Sequence, residues 1–191
     1  MPRKNSQDKA TVVKAAADLL NREGLEALTL NRLAGILGIQ TPSLYNHIDG
    51  MAGLMHDLAL LNLRQLSEHL GTIAIGRSGA EGLKAVADAY RTYKESPGVY
   101  LSSLRASGTQ STPDTEQQAG EERVVHIVLA WLGSLGLSGV EAIHAARGLR
   151  SAVHGFTTLE IAGGFGIKLD LDESLARLIG ILVTGLQPSR E

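Results

Sequence analysis

The chain has 191 residues, with 18 Lys plus Arg against 20 Asp plus Glu and a formal net charge of −2. That length suits one or two domains, and 43% apolar with 20% charged residues excludes a disordered chain. The absence of Cys excludes a disulfide scaffold, a thiolate metal site and a Cys nucleophile, and the near-neutral balance argues against coating nucleic acid or membrane by bulk charge.

No basic, apolar leader opens the sequence. The longest apolar stretches, Val124 to Gly133 and Leu178 to Leu186, fall far short of the roughly 18 to 20 residues that span a bilayer. A soluble cytoplasmic protein is therefore expected. The basic arm comes first: Arg3, Lys4, Lys9 and Lys14 stand against Asp8 alone. From Asp8 the pattern turns helical, with Val12, Val13, Ala16, Leu19 and Leu20 at helical spacing. Gly24 offers a left-handed stop, followed by Leu25 for the apolar contact that accompanies one. Thr29 can cap a second helix with Leu30, Leu33, Ala34 and Leu37 on its apolar face, ended by Gly38. A third, short helix is expected over Thr41–Ile48, with Thr41 as its cap and Pro42 in its first turn.

A long fourth helix is expected from Asp49 or Gly50 to about Leu70, then a break over 71–79. A fifth is expected from Ala80 to Glu95 and a sixth from Val99 to Ala106, with an exposed Ser/Thr/Gly-rich loop from Ser107 to Pro113. The seventh, from about Asp114 to Leu135, is apolar nearly all round in its second half and should be central. Ser138 can cap an eighth reaching about Ala162, and Gly163 to Gly166 reads as a turn. Asp170 or Asp172 can cap a ninth, whose regular apolar stripe is Leu175, Leu178, Ile179, Leu182, Val183 and Leu186. The chain thus reads as all-α with about nine helices. A helix-turn-helix domain is expected over 1–49 and a second helical domain over 50–191.

In a helix-turn-helix, the first helix of the pair crosses the DNA backbone and the second enters the major groove. Leu33, Leu37, Leu44 and Ile48 would lock the second and third helices together. Gln40, Thr41, Ser43, Tyr45, Asn46 and His47 would then lie on or near the outer face, as hydrogen-bonding types suited to phosphates and base edges. Arg3 and Lys4 could add contacts that release counterions.

The stretch from Leu28 to Ile48, preceded by Ala15 to Leu20 and by Glu23-Gly24-Leu25, resembles the DNA-binding domain of the TetR family of repressors. The likeness covers roughly residues 8 to 58. It implies an all-α homodimer, an operator of two half-sites, and release by a small ligand held in the C-terminal domain. It also implies that Thr41, Pro42, Ser43, Tyr45, Asn46 and His47 lie on or beside the reading helix, and that Thr29 contacts phosphate. One departure stands out. Where the family usually carries a Ser-Lys pair opening the fourth helix, this chain has Gly50-Met51-Ala52. The missing Lys implies weaker DNA binding and a shallower salt slope.

Further along, Arg150 to Phe156 with Leu159-Glu160 resembles a C-terminal subfamily named for a Trp-His-Gly motif, with Val153 in place of the Trp before His154-Gly155. The segments Ala87 to Arg91 and Pro97 to Tyr100 resemble it too. Gly148, Ser151, Ala152 and Gly155 fall at i, i+3, i+4 and i+7, a small-residue stripe that admits a second helix closely. The resemblance places the dimer interface on the last two helices, so these four residues join the ninth helix's stripe as interface candidates. The alternative is that both stripes pack the monomer core. Pocket candidates are Tyr90, Tyr93, Leu104, His126, Trp131, Arg150 and His154; the alternatives are core packing for Trp131, a buried or interface ring with its bonds satisfied for His154, and an interface ion pair or a solvated surface for Arg150.

No two of the six His are four apart, and no P-loop, nucleophile elbow or dinucleotide fingerprint is present. No catalytic residue, metal ligand or cofactor is expected, and the chain reads as no enzyme. The function expected is a homodimeric, ligand-responsive repressor. The alternative is a dimeric ligand- or partner-binding module of the same fold without specific DNA recognition, supported by the absent Lys.

Overall fold

The computed structural model describes residues 8–74, 77, 81–85, 89, 96 and 115–186, and every described element is helical. The helices are α1 Lys9–Glu23, α2 Leu30–Leu37, α3 Thr41–Leu44, α4 Gly50–Ala74, α5 Thr115–Ser134, α6 Gly139–Ile161 and α7 Leu171–Gly185, with a 3₁₀ turn at Leu25–Ala27. Of the expected fifth helix, residues 81–85 and 89 are described, and they are helical. The expected sixth helix and the loop after it lie outside the described residues, as do Arg3, Lys4, Tyr90, Tyr93 and Leu104.

The chain divides into two compact units inside α4, between Asn62 and Leu63. This is later than the expected boundary at 49/50. The reason is physical: Leu54 and Leu58 of α4 belong to the core of the first unit. That core is built from Val12, Ala16, Leu19 and Leu20 of α1, Leu33 of α2, Leu44 of α3 and Ile48, all nearly or fully shut from solvent. Asp8 caps α1 by accepting from Thr11 N at 2.7 Å. Beneath it, Lys9 pairs with the nearly buried Asp57 of α4 at 2.7 Å, tying the start of α1 to α4.

Two glycines set the turns of this unit. Gly38 is left-handed at φ 66° and completes a paired stop, with its own N–H donating to Gly35 O and Ile39 N–H to Ala34 O. Gly24 corrects the expectation made for it. Its φ of 80° comes with an extended ψ of 177°, a region open essentially to Gly alone. The expected break after Leu70 also moves, because α4 runs on to Ala74.

In the second unit α5 packs on α6 and α6 on α7. Asp170, the nearer of the two expected caps, accepts from Asp172 N and Glu173 N and starts α7. Ser138 stands at the N-cap position of α6 with no hydrogen bond from its side chain. Phe156 and Phe165 meet with ring centroids 4.8 Å apart, seating the 163–170 connection on α6. The expectation that the second half of α5 is central is corrected: Trp131 and Leu132 are its buried residues, while Val125 is 46% exposed. The apolar run reaches further round the helix than its neighbours cover.

Candidate nucleic-acid interface

The first unit presents one face through α2 and α3. Thr29 caps α2, its hydroxyl oxygen accepting from Arg32 N at 3.2 Å. Thr29 is exposed, so it can serve as cap and meet a phosphate. Arg32 itself is paired with Glu23 on the last turn of α1.

The third helix is shorter than expected, spanning Thr41–Leu44, with Tyr45 to His47 continuing as turns. Its hydrogen bonds explain this. Ser43 N donates to Gln40 O, Asn46 N to Ser43 O and His47 N to Leu44 O, all three residues back, which tightens the coil into 3₁₀ geometry. Gln40, and not Thr41, holds the N-cap position, without a side-chain cap. Thr41 is the first helical residue, and its hydroxyl instead donates to Asn31 Oδ1 at 2.9 Å. That cross-helix pair was not foreseen. An Asn in the first turn of an otherwise apolar-patterned helix was the one signal available.

Leu44 is fully buried and anchors the segment. Around it the polar residues divide by helical position. Gln40, Pro42, Tyr45 and Asn46 are exposed, while Thr41, Ser43 and His47 are half-buried. Tyr45, at 60% exposure, stands out from the surface. Gly50 opens α4 at φ 65°, and a Cβ there would meet the Tyr45 ring at 3.8 Å. Met51, at the expected Lys position, is half-buried and packs against the core of this unit. Hydrogen bonds from Thr11 hold the Asp8 carboxyl below the usual carboxylate range, and the nearby His47 adds the weakest pull.

The second unit places the remaining candidates separately. Trp131 is buried against the backbone at Gly82, where an added Cβ would lie 2.9 Å from the indole. His126 is exposed, with Nδ1 2.9 Å from Glu122 O one turn back. Arg150 is exposed and sits one turn before the half-buried His154. Burial pushes the His154 imidazole below its ordinary pKa, and the Arg150 charge pushes the same way. On α6, Gly148, Ser151 and Gly155 are exposed and Ala152 is half-buried. A Cβ on Gly148 or Gly155 would meet nothing within 4 Å, so no described residue of the chain packs closely on these two glycines. On α7 Leu175, Ile179 and Val183 are buried within the chain, whereas Leu178, Leu182 and Leu186 are half-buried.

Among the described residues, no single helix is long and apolar enough to cross a membrane. Residues 83–182 match the family described as "Tetracyclin repressor-like, C-terminal domain". The chain is 32% identical over 177 residues to the HTH-type transcriptional regulator YobS of Bacillus subtilis, covering 92% of this chain and 90% of that protein. It is 33% identical over 178 residues to an HTH-type transcriptional regulator of Mycobacterium tuberculosis, covering 93% and 80%. The fold is similar to that of a TetR variant from Acinetobacter baumannii solved in complex with minocycline. There the TM-score is 0.70 at 24% identity, over 94% of this chain and 96% of that one.

Proposed function

The chain belongs to the TetR family of transcriptional regulators, and from that premise we propose that it is a homodimeric repressor released from a two-fold operator by a small molecule. The observation that carries this reading is the α3 segment: a buried Leu44 with exposed Gln40, Pro42, Tyr45 and Asn46 around it. Each subunit inserts this segment in the major groove, with half-sites roughly 34 to 36 Å apart. Thr29, Thr41, Ser43 and His47 assist it, and Arg3 and Lys4 of the basic arm add phosphate contacts. Met51 supplies no charge at the start of α4, so binding is weaker and less salt-dependent than with a Lys there.

Dimerisation runs through α6 and α7. Gly148, Ser151, Ala152 and Gly155 admit the partner helix, and Leu178, Leu182 and Leu186 line it over the buried Leu175, Ile179 and Val183. The effector lies among Tyr90, Tyr93, Leu104, His126, Trp131, Arg150 and His154. It must favour the state that cannot hold DNA, because equal affinity for both states shifts nothing. The His154-Gly155 pair supports assignment to the Trp-His-Gly subfamily. The protein is cytoplasmic, carries no metal or cofactor and catalyses no reaction. A gel-shift against the DNA flanking its own gene tests the reading. Sequence-preferring binding at low salt is expected, and binding equal to that of random duplex would overturn it.

A further inference from the structure

Resting on the operator reading above, we infer that Asn31 and Thr41 form one hydrogen-bonded reading unit. In it Thr41 orients the Asn31 amide toward an A·T pair, so that the helix crossing the backbone also helps to choose the sequence. Asn31 is the second residue of α2 and is exposed; Thr41 is the first of α3 and is half-buried. The Thr41 hydroxyl donates to Asn31 Oδ1 at 2.9 Å. Thr41 is not the N-cap, so this hydroxyl is not spent on the backbone.

The bond has a chemical consequence. The Thr41 O–H donates to Oδ1, so the amide oxygen of Asn31 faces α3 and its nitrogen faces away. Among the described residues the amide nitrogen takes no hydrogen bond, so it keeps two donors, and Oδ1 keeps a second lone pair. A donor beside an acceptor matches the N7 and N6 amino groups of adenine; guanine offers two acceptors in the same places and would leave Oδ1 facing O6. The N-terminal end of the second helix is where such a module reads base edges, and the bond brings Asn31 to that end. Holding the helices together does not require it. Leu33 and Leu44 share the core, and the paired stop at Gly38 fixes the turn.

Selection from a randomised duplex pool tests the assignment, using the wild-type dimer, Thr41→Val, Thr41→Ser and Asn31→Leu. Thr41→Val and Asn31→Leu are expected to lose roughly tenfold discrimination at the same A·T pair of each half-site, with other positions unchanged. Thr41→Ser, which keeps the hydroxyl, retains the preference, and the double variant loses no more than either single one. Loss at different positions, or at a G·C pair, overturns the assignment. So does a fall in melting temperature with base preferences intact, which marks a purely structural clip. A wild type that enriches no sequence overturns the operator reading together with this one; a wild type with a defined site that survives Thr41→Val overturns this one alone.

Discussion

The two units spend their apolar residues differently. In the first, helical spacing and burial agree almost position by position: Val12, Val13, Ala16, Leu19, Leu20, Leu33, Ala34, Leu44 and Ile48 all enter one core. In the second, the pattern outruns the core. Val125, Val140, Ile143, Leu159, Ile167, Leu169 and Ile181 remain exposed in the single chain, Ile167 at 78%. The first unit closes on itself and turns polar residues outward. The second carries more apolar surface than one chain encloses, as expected of a helical domain that completes itself with a partner. The surface proposed for DNA and the surface proposed for self-association thus differ in what they leave uncovered.

The contrast breaks first at Leu44. Replacing it by Ala should cost roughly 2 to 5 kcal/mol, because its neighbours cannot collapse onto the lost volume, and should abolish DNA binding while dimers persist. Chemical denaturation with sedimentation separates the two results; loss of dimers along with DNA binding would mean the units do not divide this way. Next comes Ile181, 70% exposed on α7. Ile181→Glu should weaken self-association by about 30-fold or more, the scale of an interface hot spot, with helix content unchanged. An unaltered dimer constant would move the interface off this face.

Tyr45→Ala should leave the melting temperature almost unmoved, because the ring is exposed, yet weaken operator binding by about 1 to 3 kcal/mol. Affinity titrations that show no loss would take Tyr45 off the reading face. Thr29→Ala should cost about 1 kcal/mol through loss of the α2 cap, with an added loss in DNA affinity if Thr29 also meets phosphate.

The smallest effect is a pH slope in the second unit. Folding holds His154 below its ordinary pKa of 6.5, so its neutral form is favoured in the fold. The stability that depends on it is fully present above the unfolded value. It is lost as the pH falls from there through the lowered folded value. His154→Gln should flatten that slope, and a slope equal to wild type would remove His154 as its source.

Much of the local geometry from Thr29 to Gly38 was legible in the sequence, because its determinants are local. A Thr before an apolar-patterned segment caps α2 through the N–H three residues on, and a Gly after it supplies the left-handed stop. Those two features fix where α2 begins and ends. Two details escaped. Thr41 has the chemistry of a cap, but the chain enters α3 one residue earlier at Gln40, leaving the hydroxyl for Asn31. Gly24 has the chemistry of a left-handed stop but takes an extended ψ, which the same residue permits equally well. In both cases the residue type allowed two local answers, and composition alone does not choose between them.

Periodicity and punctuation by themselves determined the all-helical class, the order of the elements and the polar composition of α3. Each follows from contacts within a few residues. The tertiary structure decided which apolar stripe is spent inside the chain. Leu175, Ile179 and Val183 turn into the protomer, while Gly148, Ser151, Gly155 and Ile181 stay outward. Helical spacing marks a stripe as apolar but does not say against what it packs, because burial in one's own chain and burial against another satisfy the same hydrophobic demand. The three-dimensional arrangement of α5, α6 and α7 distinguishes them, by covering some faces and leaving others open.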